Sequence, residues 1–548
     1  MELVSQHVKG IMEECKIRAR DAGLCFDDET LEYIVTNRDM IELSPKVMIP
    51  TLYDYWVHDV RVLSGKGMYE LYPSNPYETV INTRPAISYY NDNNPDWLNV
   101  MIFYHVLGHI DFFQNNLFYK NTWDIDLTGQ ALSDKRLISR LRAEKGRWVD
   151  YAIEFSRGID NIVSYHKEIN QYVMPRKSRK LSRVDFYFDT FLQVIKKVSA
   201  SEYLKEIERY NLTSKEEQPV DEFFTQVTSI YPEFDEMFRK AAEKSKKNDL
   251  DVMEYIMTHS VFLREEDNKW MKSIMQIVRN TSLYFQPQIR TKIMNEGWAS
   301  FWHDYLFMND DRINGHETDY AKVNAQVTAM PKVGLNPYAL GLRLFDHIMD
   351  MEDKGRYSLE YFMLRDELER REFNGQLNTG FDRIFKVRED YCDFTFINQF
   401  VDQEFMNRHE LFVAGKRLNQ KRLTWEYFIK SKNAGDYRQM IIDTLYHPPV
   451  IDVVPSESVD GILFLKHTFE HKPLKTDFLE NTMIGIEYLW GGPVKLETHE
   501  PAQKAKVDPD YSNLMTPGPA VPMTKQERLD WKKVVYTMEK RKLTRQEQ

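Results

Sequence analysis

Apolar residues recur at intervals of three and four over most of the first 416 residues, the spacing that amphipathic helices require. The segment from residue 186 to residue 198 is an example, with the sequence Phe-Tyr-Phe-Asp-Thr-Phe-Leu-Gln-Val-Ile-Lys-Lys-Val. Half-buried strands would alternate at every second residue instead. The pattern therefore predicts a large, mostly α-helical N-terminal domain over residues 1–416.

The pattern changes after about residue 420. Strand-like segments begin at Thr424, Val450, Gly461 and Val494, and helix-like segments lie at residues 436–445 and 477–490. The second of these helices ends at Gly-Gly-Pro, a typical helix stop. The order β-α-β-β-α-β predicts a smaller, ferredoxin-like α+β domain over residues 417–500.

The last segment, residues 501–548, has a different composition. Residues 501–522 are rich in Pro, Ala and Lys, which predicts a flexible linker. Residues 525–542 are mainly basic, and we expect a short terminal helix there. This helix could dock on the acidic body, bind a partner or remain solvated.

Charge and hydropathy exclude several classes of protein. The 548 residues include 73 Lys and Arg against 84 Asp and Glu, a net charge of -11 that argues against a general nucleic-acid coat. No apolar run approaches the roughly 20 residues that cross a bilayer, and the first residues lack the pattern of a secretion signal. We therefore expect no transmembrane segment, no nucleic-acid partner and a cytoplasmic location.

Two of the 14 histidines, His105 and His109, stand four residues apart in Tyr-His-Val-Leu-Gly-His-Ile-Asp. On a helix of about 3.6 residues per turn, both side chains project from one face and can bind one ion. The alternative is a pair of hydrogen-bonded core histidines. The pair alone is a weak signal of a metal site.

A second segment carries Glu296 and His303, seven residues or two helical turns apart. If the two helices face each other, three imidazoles and one carboxylate could hold a divalent metal. Zinc, iron and manganese all suit such ligands, and spacing cannot choose among them. In the alternative, Glu296 pairs with a nearby Arg290 or Lys292, and His303 packs among aromatic side chains.

The first motif differs from the zincin sequence His-Glu-x-x-His, in which a glutamate after the first histidine activates water. Val106 occupies that position here. The nearest candidates for a catalytic base are Glu78 and Asp111. Either could instead orient a histidine, which metal sites need.

Several strings in this sequence resemble the stage V sporulation protein R (SpoVR) family. They include Tyr-Glu-Thr-Val-Ile-Asn from residue 77, His-Val-Leu-Gly-His-Ile-Asp-Phe-Phe-Gln-Asn-Asn from residue 105, Asn-Glu-Gly-Trp-Ala-Ser-Phe-Trp-His from residue 295 and Leu-Trp-Gly-Gly-Pro-Val-Lys-Leu-Glu-Thr from residue 489. The resemblance is collinear over roughly residues 10–498. It carries over His105, His109, Asp111, Glu296 and His303 as shared polar positions.

The resemblance implies a cytoplasmic bacterial protein linked to spore cortex formation, or, in bacteria without spores, to a stress response and a serine protein kinase system. Two hypotheses follow. The first is a metal-dependent hydrolase acting on a cell-wall precursor or a peptide, with His105, His109, Glu296 and His303 as ligands. The second is a regulatory or scaffolding protein that recruits a partner such as a kinase and holds a structural metal or none.

Overall fold

The structure is a computed structural model that describes residues 2–27, 29–36, 78–122, 127–163, 183–196, 198, 200–215, 220–244, 250–419, 424–445, 448–469, 473–501 and 531–547. Helices dominate this part of the chain, as the apolar spacing predicts. The α-helices are α1 (Gln6–Asp21), α2 (Asp96–Asn115), α3 (Leu127–Lys145), α4 (Trp148–Arg157), α5 (Ala200–Lys215), α6 (Val220–Ile230), α7 (Phe234–Lys244), α8 (Val252–His259), α9 (Trp270–Arg290), α10 (Lys292–Met308), α11 (Glu317–Thr328), α12 (Pro337–Asp353), α13 (Leu359–Met363), α14 (Glu367–Glu372), α15 (Gly380–Asp390), α16 (Asp393–Phe400), α17 (Gln403–Arg408), α18 (Ala434–Ile442) and α19 (Thr476–Trp490). Residues 186–195, predicted as helical, form a π-helix, which follows a further, three-residue α-helical turn at Arg183–Asp185.

A small N-terminal sheet, which the apolar spacing does not predict, lies beside the helices. Its strands are β1 (Glu2–Leu3), β2 (Thr30–Val35), β3 (Glu78–Ile81) and β4 (Ala86–Asn91), in the order β1-β2-β4-β3. Strands β2 and β4 are parallel, and the other two pairs are antiparallel. Strand β3 contacts helix α2, so the sheet borders the helix that carries the paired histidines.

Helix α10 lies at the centre of the main core, packed against α2 on one side and α12 on the other. Glycines allow these close approaches. A Cβ atom added at Gly297 would meet the backbone of Gly341 at 2.4 Å, so neither helix has room for a side chain at that crossing. Large aromatic side chains, among them the fully buried Trp298 and Trp302, fill the space around it.

Two side chains fix the ends of these central helices. Asn336 caps α12 by accepting from the backbone N–H of Tyr338, and Pro337 begins the helix, as its sequence indicates. The buried carboxylate of Asp393 accepts from the backbone N–H groups of Ile293 and Met294, each at 2.9 Å, at the start of α10. The first turn of α10 is therefore tied to α16, which orients the face that carries Glu296.

The predicted elements after residue 420 are present, but their arrangement is not ferredoxin-like. Strands β5 (Val413–Asn419) and β6 (Thr424–Ser431) form a separate hairpin, and α18 packs into the main helical core. Strands β7 (Val450–Val453), β8 (Leu463–Thr468) and β9 (Val494–Pro501) belong to a five-stranded sheet of order β11-β10-β9-β8-β7. The hydrophobic core of this sheet also includes residues of α3, α4, α8, α9 and α19. Residue 416 is therefore not a boundary between two separate hydrophobic cores.

The prediction of a basic terminal helix is wrong for residues 531–547. These residues form the antiparallel strands β10 (Trp531–Glu539) and β11 (Lys542–Glu547), and β10 pairs with β9 along its length. The segment Val-Val-Tyr-Thr favours a strand, and Val534 and Met538 are fully buried against the sheet core. The predicted linker from residue 502 to residue 530 lies outside the described residues.

Within the described ranges, none of the helices combines the length and the apolar character needed to cross a membrane.

Candidate metal centre

Three of the predicted ligands come together where α2 meets α10. His105 and His109 lie on one face of α2, and Glu296 approaches them from the first turns of α10. One potential ligand atom from each side chain lies within 4.8 Å of the other two. We call these three residues the His/His/Glu group, and among the described residues it is the only such cluster of potential metal ligands.

One ring nitrogen of His109 is hydrogen-bonded to Asn295, and the other faces Glu296. His109 Nδ1 lies 2.9 Å from Asn295 Oδ1, and an amide oxygen can only accept, so Nδ1 carries the proton. In a neutral imidazole the other nitrogen then has a free lone pair. That nitrogen, Nε2, lies 3.7 Å from Glu296 Oε2, so the carboxylate and the lone pair face the same small volume.

His303, the fourth predicted ligand, lies beside His105 but outside the His/His/Glu group. The Nδ1 atoms of His105 and His303 are 2.9 Å apart. His303 Nε2 lies 3.2 Å from Asn324 Oδ1 on helix α11. Both ring nitrogens of His303 therefore have a hydrogen-bonding partner.

Burial keeps the inner histidines neutral. His105 and His303 are buried, and removal from water holds the pKa of His105 well below its ordinary value, with His109 and His303 adding to the effect. Burial also lowers the pKa of His303, against the opposing influence of Asn324 and Asp304. Neutral imidazole is the form that binds metals.

Asp111, a predicted base, lies away from the group. Two residues after His109 the helix has turned by about 200°, so the carboxylate points away from His109. There it accepts from Trp298 Nε1 at 2.8 Å and from the backbone N–H of Cys25 at 2.7 Å, and it pairs with Arg388. Burial raises its pKa to about 6, and the positive charge of Arg388 opposes that rise. Asp111 thus joins α2 to α10 and α15.

Glu78, the other predicted base, is the first residue of β3, the strand that contacts α2. Its side chain lies outside the described part of the structure.

Three polar residues around the site were not predicted from the sequence: Asn295, Asp304 and Asn324. Asn295 and Asp304 adjoin Glu296 and His303 in the chain, so inspection of the flanking positions could have found them. Asn324 lies 21 residues after His303 on a different helix, and only the fold brings the two together. Gly108 was also missed, although it allows α2 to approach Ala299 of α10.

Comparison with known proteins supports the family resemblance that the sequence motifs indicate. Residues 2–446 match the family described as SpoVR like protein, so the match spans the His/His/Glu group and ends before strand β7. The uncharacterized protein YcgB of Escherichia coli (strain K12) is 25% identical over 399 residues, which cover 70% of this chain and 69% of YcgB. No solved structure matches. Because the family match extends over most of the sequence, the chain belongs to the SpoVR family.

Proposed function

We propose that this protein is a metal-dependent hydrolase whose divalent metal binds His105, His109 and Glu296. The observation that supports it is the convergence of two imidazoles and one carboxylate within 4.8 Å. Zinc binds these ligand types at about 2.0–2.2 Å, so small side-chain rotations would place all three on one ion. Two histidines and a glutamate also form the protein ligand set of several hydrolytic zinc enzymes.

The chemistry that such a metal supplies is a water or hydroxide made reactive near neutral pH, together with polarisation of the bond to be cleaved. The protein would hold the ion through neutral His105 and His109 and balance its charge with Glu296. Glu78 is our proposed base, since β3 runs alongside α2. We propose a cell-wall precursor or a peptide as the substrate, zinc, iron or manganese as the metal, and the cytoplasm as the location.

Family membership supports the wider role that we propose, in spore cortex formation or in a stress response. A second candidate function is a scaffold that recruits a partner such as a serine protein kinase and whose metal only stabilises the fold. The observation that favours it is burial: the side chains of His109 and Glu296 are 9% and 13% exposed. The two candidates differ in what the loss of the metal does to folding.

The test is elemental analysis of the purified 548-residue protein after incubation with Zn²⁺, Fe²⁺ or Mn²⁺, beside His109→Ala and Glu296→Gln. His259→Ala is the matched control, because His259 is an exposed histidine of α8 that contacts Tyr255 rather than the site. We expect about one metal per chain in the wild type and the control, and loss of the metal in both folded site variants. Absence of metal from the wild type would overturn the proposal. Loss of metal with global unfolding, seen by circular dichroism, would favour the scaffold.

A further inference from the structure

The hairpin of β5 and β6 carries a row of large apolar side chains on one side. Side chains alternate between the two faces of a strand, so Trp425, Tyr427 and Ile429 of β6 share one face. The register places Leu418 opposite Trp425 and Lys416 opposite Tyr427, so these two β5 side chains lie on the same face. We call the side of the hairpin that carries these five side chains the apolar face.

The apolar face is exposed. The exposed fractions of its four apolar side chains lie between 46% and 57%. The ammonium group of Lys416 lies 4.5 Å from the centre of the Trp425 ring and 6.0 Å from that of the Tyr427 ring. A single exposed apolar side chain is ordinary, but four neighbouring ones on one face of a hairpin indicate a binding surface.

On the opposite face of the hairpin, side chains pair with one another. The Phe428 ring lies over Gly415, where an added Cβ atom would meet it at 2.4 Å. The Arg417 guanidinium lies 5.7 Å from the centre of that ring, and its Nε lies 3.4 Å from Glu426. The aromatic ring and the charges of this face therefore have partners within the hairpin.

The hairpin is basic in an acidic chain. Residues 413–432, which include both strands, contain six basic residues and one acidic residue, although the whole chain has a net charge of -11. Four of the basic side chains are described and exposed: Lys416, Arg417, Lys430 and Lys432. Both faces of the hairpin carry exposed side chains, and α18 contacts it at β5, so it projects from the helical body. An anionic surface can therefore attract the hairpin while the acidic body stays at a distance.

We propose that this hairpin docks the protein on an anionic lipid membrane, with the apolar face in the headgroup layer and the basic side chains at the lipid phosphates. Trp and Tyr favour the interface between membrane and water, where one end of the side chain is apolar and the other is hydrogen-bonded. Lysine can extend its charged end to the headgroups while its stem stays in the apolar layer. Such docking needs no transmembrane helix and is independent of the proposed metal site.

Single-stranded nucleic acid is the alternative anionic partner, because its bases stack on aromatic rings. Two observations favour lipid. Leu418 and Ile429 flank the two rings with aliphatic surface, which acyl chains cover but on which bases do not stack. Lys416 also lies over the Trp425 ring, on a face that a base would otherwise use.

The test is sedimentation of the 548-residue protein with vesicles of phosphatidylglycerol and phosphatidylcholine in equal parts, or of phosphatidylcholine alone. We expect binding to the mixed vesicles that weakens as salt rises, and little binding to the neutral ones. Lys416→Gln and Lys430→Gln should each lower the partition coefficient about fivefold, the effect of one basic residue near an anionic surface. No binding to the mixed vesicles would overturn the proposal, whether or not the protein binds single-stranded RNA.

A matched pair of aromatic residues is the control for the apolar face. Trp425→Ser combined with Tyr427→Ser should weaken binding to the mixed vesicles at least about 10-fold. The control combines Trp148→Ser with Tyr151→Ser, two residues that are 57% and 50% exposed on α4, a helix with two acidic residues and one basic residue. Circular dichroism checks that both variants fold. Equal loss of binding in the two variants would overturn the hairpin as the docking site.

Fluorescence quenching distinguishes insertion from adsorption at the surface. Brominated lipids quench tryptophans that enter the apolar layer. Trp425→Phe keeps an aromatic ring and removes the fluorophore, so we expect it to bind the mixed vesicles and to be quenched less than the wild type. Equal quenching in both proteins would mean that Trp425 stays outside the lipid, which would overturn the proposed insertion.

Discussion

Gly108 lies so close to Ala299 that a Cβ atom at position 108 would come within 2.8 Å of the Ala299 Cα. The obstacle is backbone, which cannot rotate away, so α2 and α10 would have to separate. We expect Gly108→Ala to lower the free energy of unfolding by about 1–3 kcal/mol, measured by urea denaturation, and to weaken metal binding.

Gly10→Ala is the control for this substitution, since a Cβ atom at that exposed position of α1 would meet nothing within 4 Å. There the change should be neutral or stabilising by up to about 1 kcal/mol, because alanine favours the helix. Equal stability losses at the two positions would contradict the close packing of α2 on α10.

Asp111→Asn should unfold more easily and still bind the metal. The amide would place a donor against Trp298 Nε1 or Arg388 and remove the buried charge partner of the guanidinium, which would keep only Glu389 at 3.9 Å, a loss of about 3–5 kcal/mol. Denaturation and elemental analysis of the folded variant measure the two effects. Loss of metal or activity at unchanged stability would instead place Asp111 in the chemistry.

Asp393 should make stability depend on pH in a defined direction. Burial raises its pKa to about 7, so between about pH 4 and pH 7 the folded chain holds a proton that the unfolded chain has released. Stability from this group is therefore greatest at low pH and falls as the pH rises through 7, by at most about 1.4 kcal/mol per pH unit.

The comparison for this effect is Asp393→Asn, which removes the titrating group. The difference in unfolding free energy between wild type and variant should decrease between pH 5 and pH 7.5 and then level off. A difference that grows with pH would mean that the carboxylate is stabilised in its charged form by the two backbone N–H groups of α10.

Asn295 should orient His109 through its side-chain oxygen. Asn295→Leu removes the acceptor for His109 Nδ1, and we expect metal affinity to fall about 10- to 100-fold in competition with a chelator. Asn295→Asp keeps an acceptor in place and should preserve binding. If the two variants bind equally weakly, the hydrogen bond does not position the ligand.

The terminal strands should stabilise the C-terminal sheet without contributing to the metal site. Deleting residues 531–548 removes the buried Val534 and Met538 from the sheet core and exposes the edge of β9. We expect a stability loss of at least about 2–5 kcal/mol, typical of one large buried apolar side chain, with metal content retained. Unchanged thermal unfolding would contradict the pairing of β10 with β9.

Local sequence patterns predicted the helices and strands better than they predicted which of these elements pair or pack together. The helices around His105 and Glu296 follow from apolar spacing, and the family strings point to both segments. The order β-α-β-β-α-β was also correct, but order does not tell which strands pair. Thr424–Ser431 pairs with the strand just before it, and α18 buries Tyr437 and Ile441 in the helical core rather than on the sheet.

The role of each site residue depends on where its side chain points as well as on how close it lies to the other site residues. Spacing placed His303 on the same face as Glu296, but it could not reveal that both of its nitrogens are already hydrogen-bonded. Nor could it reveal that Asp111 is bound by Trp298 and Arg388, because any helical residue near the histidines is a candidate until the neighbouring helices are known. The roles of His303 and Asp111 became clear only from hydrogen bonds to segments that lie far away in the sequence.

Anomalous diffraction from crystals of the 548-residue protein grown with a divalent metal would locate the ion itself. We expect one peak about 2.0–2.2 Å from a ring nitrogen of His105, His109 Nε2 and a Glu296 oxygen, with His303 still bonded to Asn324. The absence of a peak at this position, with these side chains well ordered and the metal in excess, would contradict the proposed metal site.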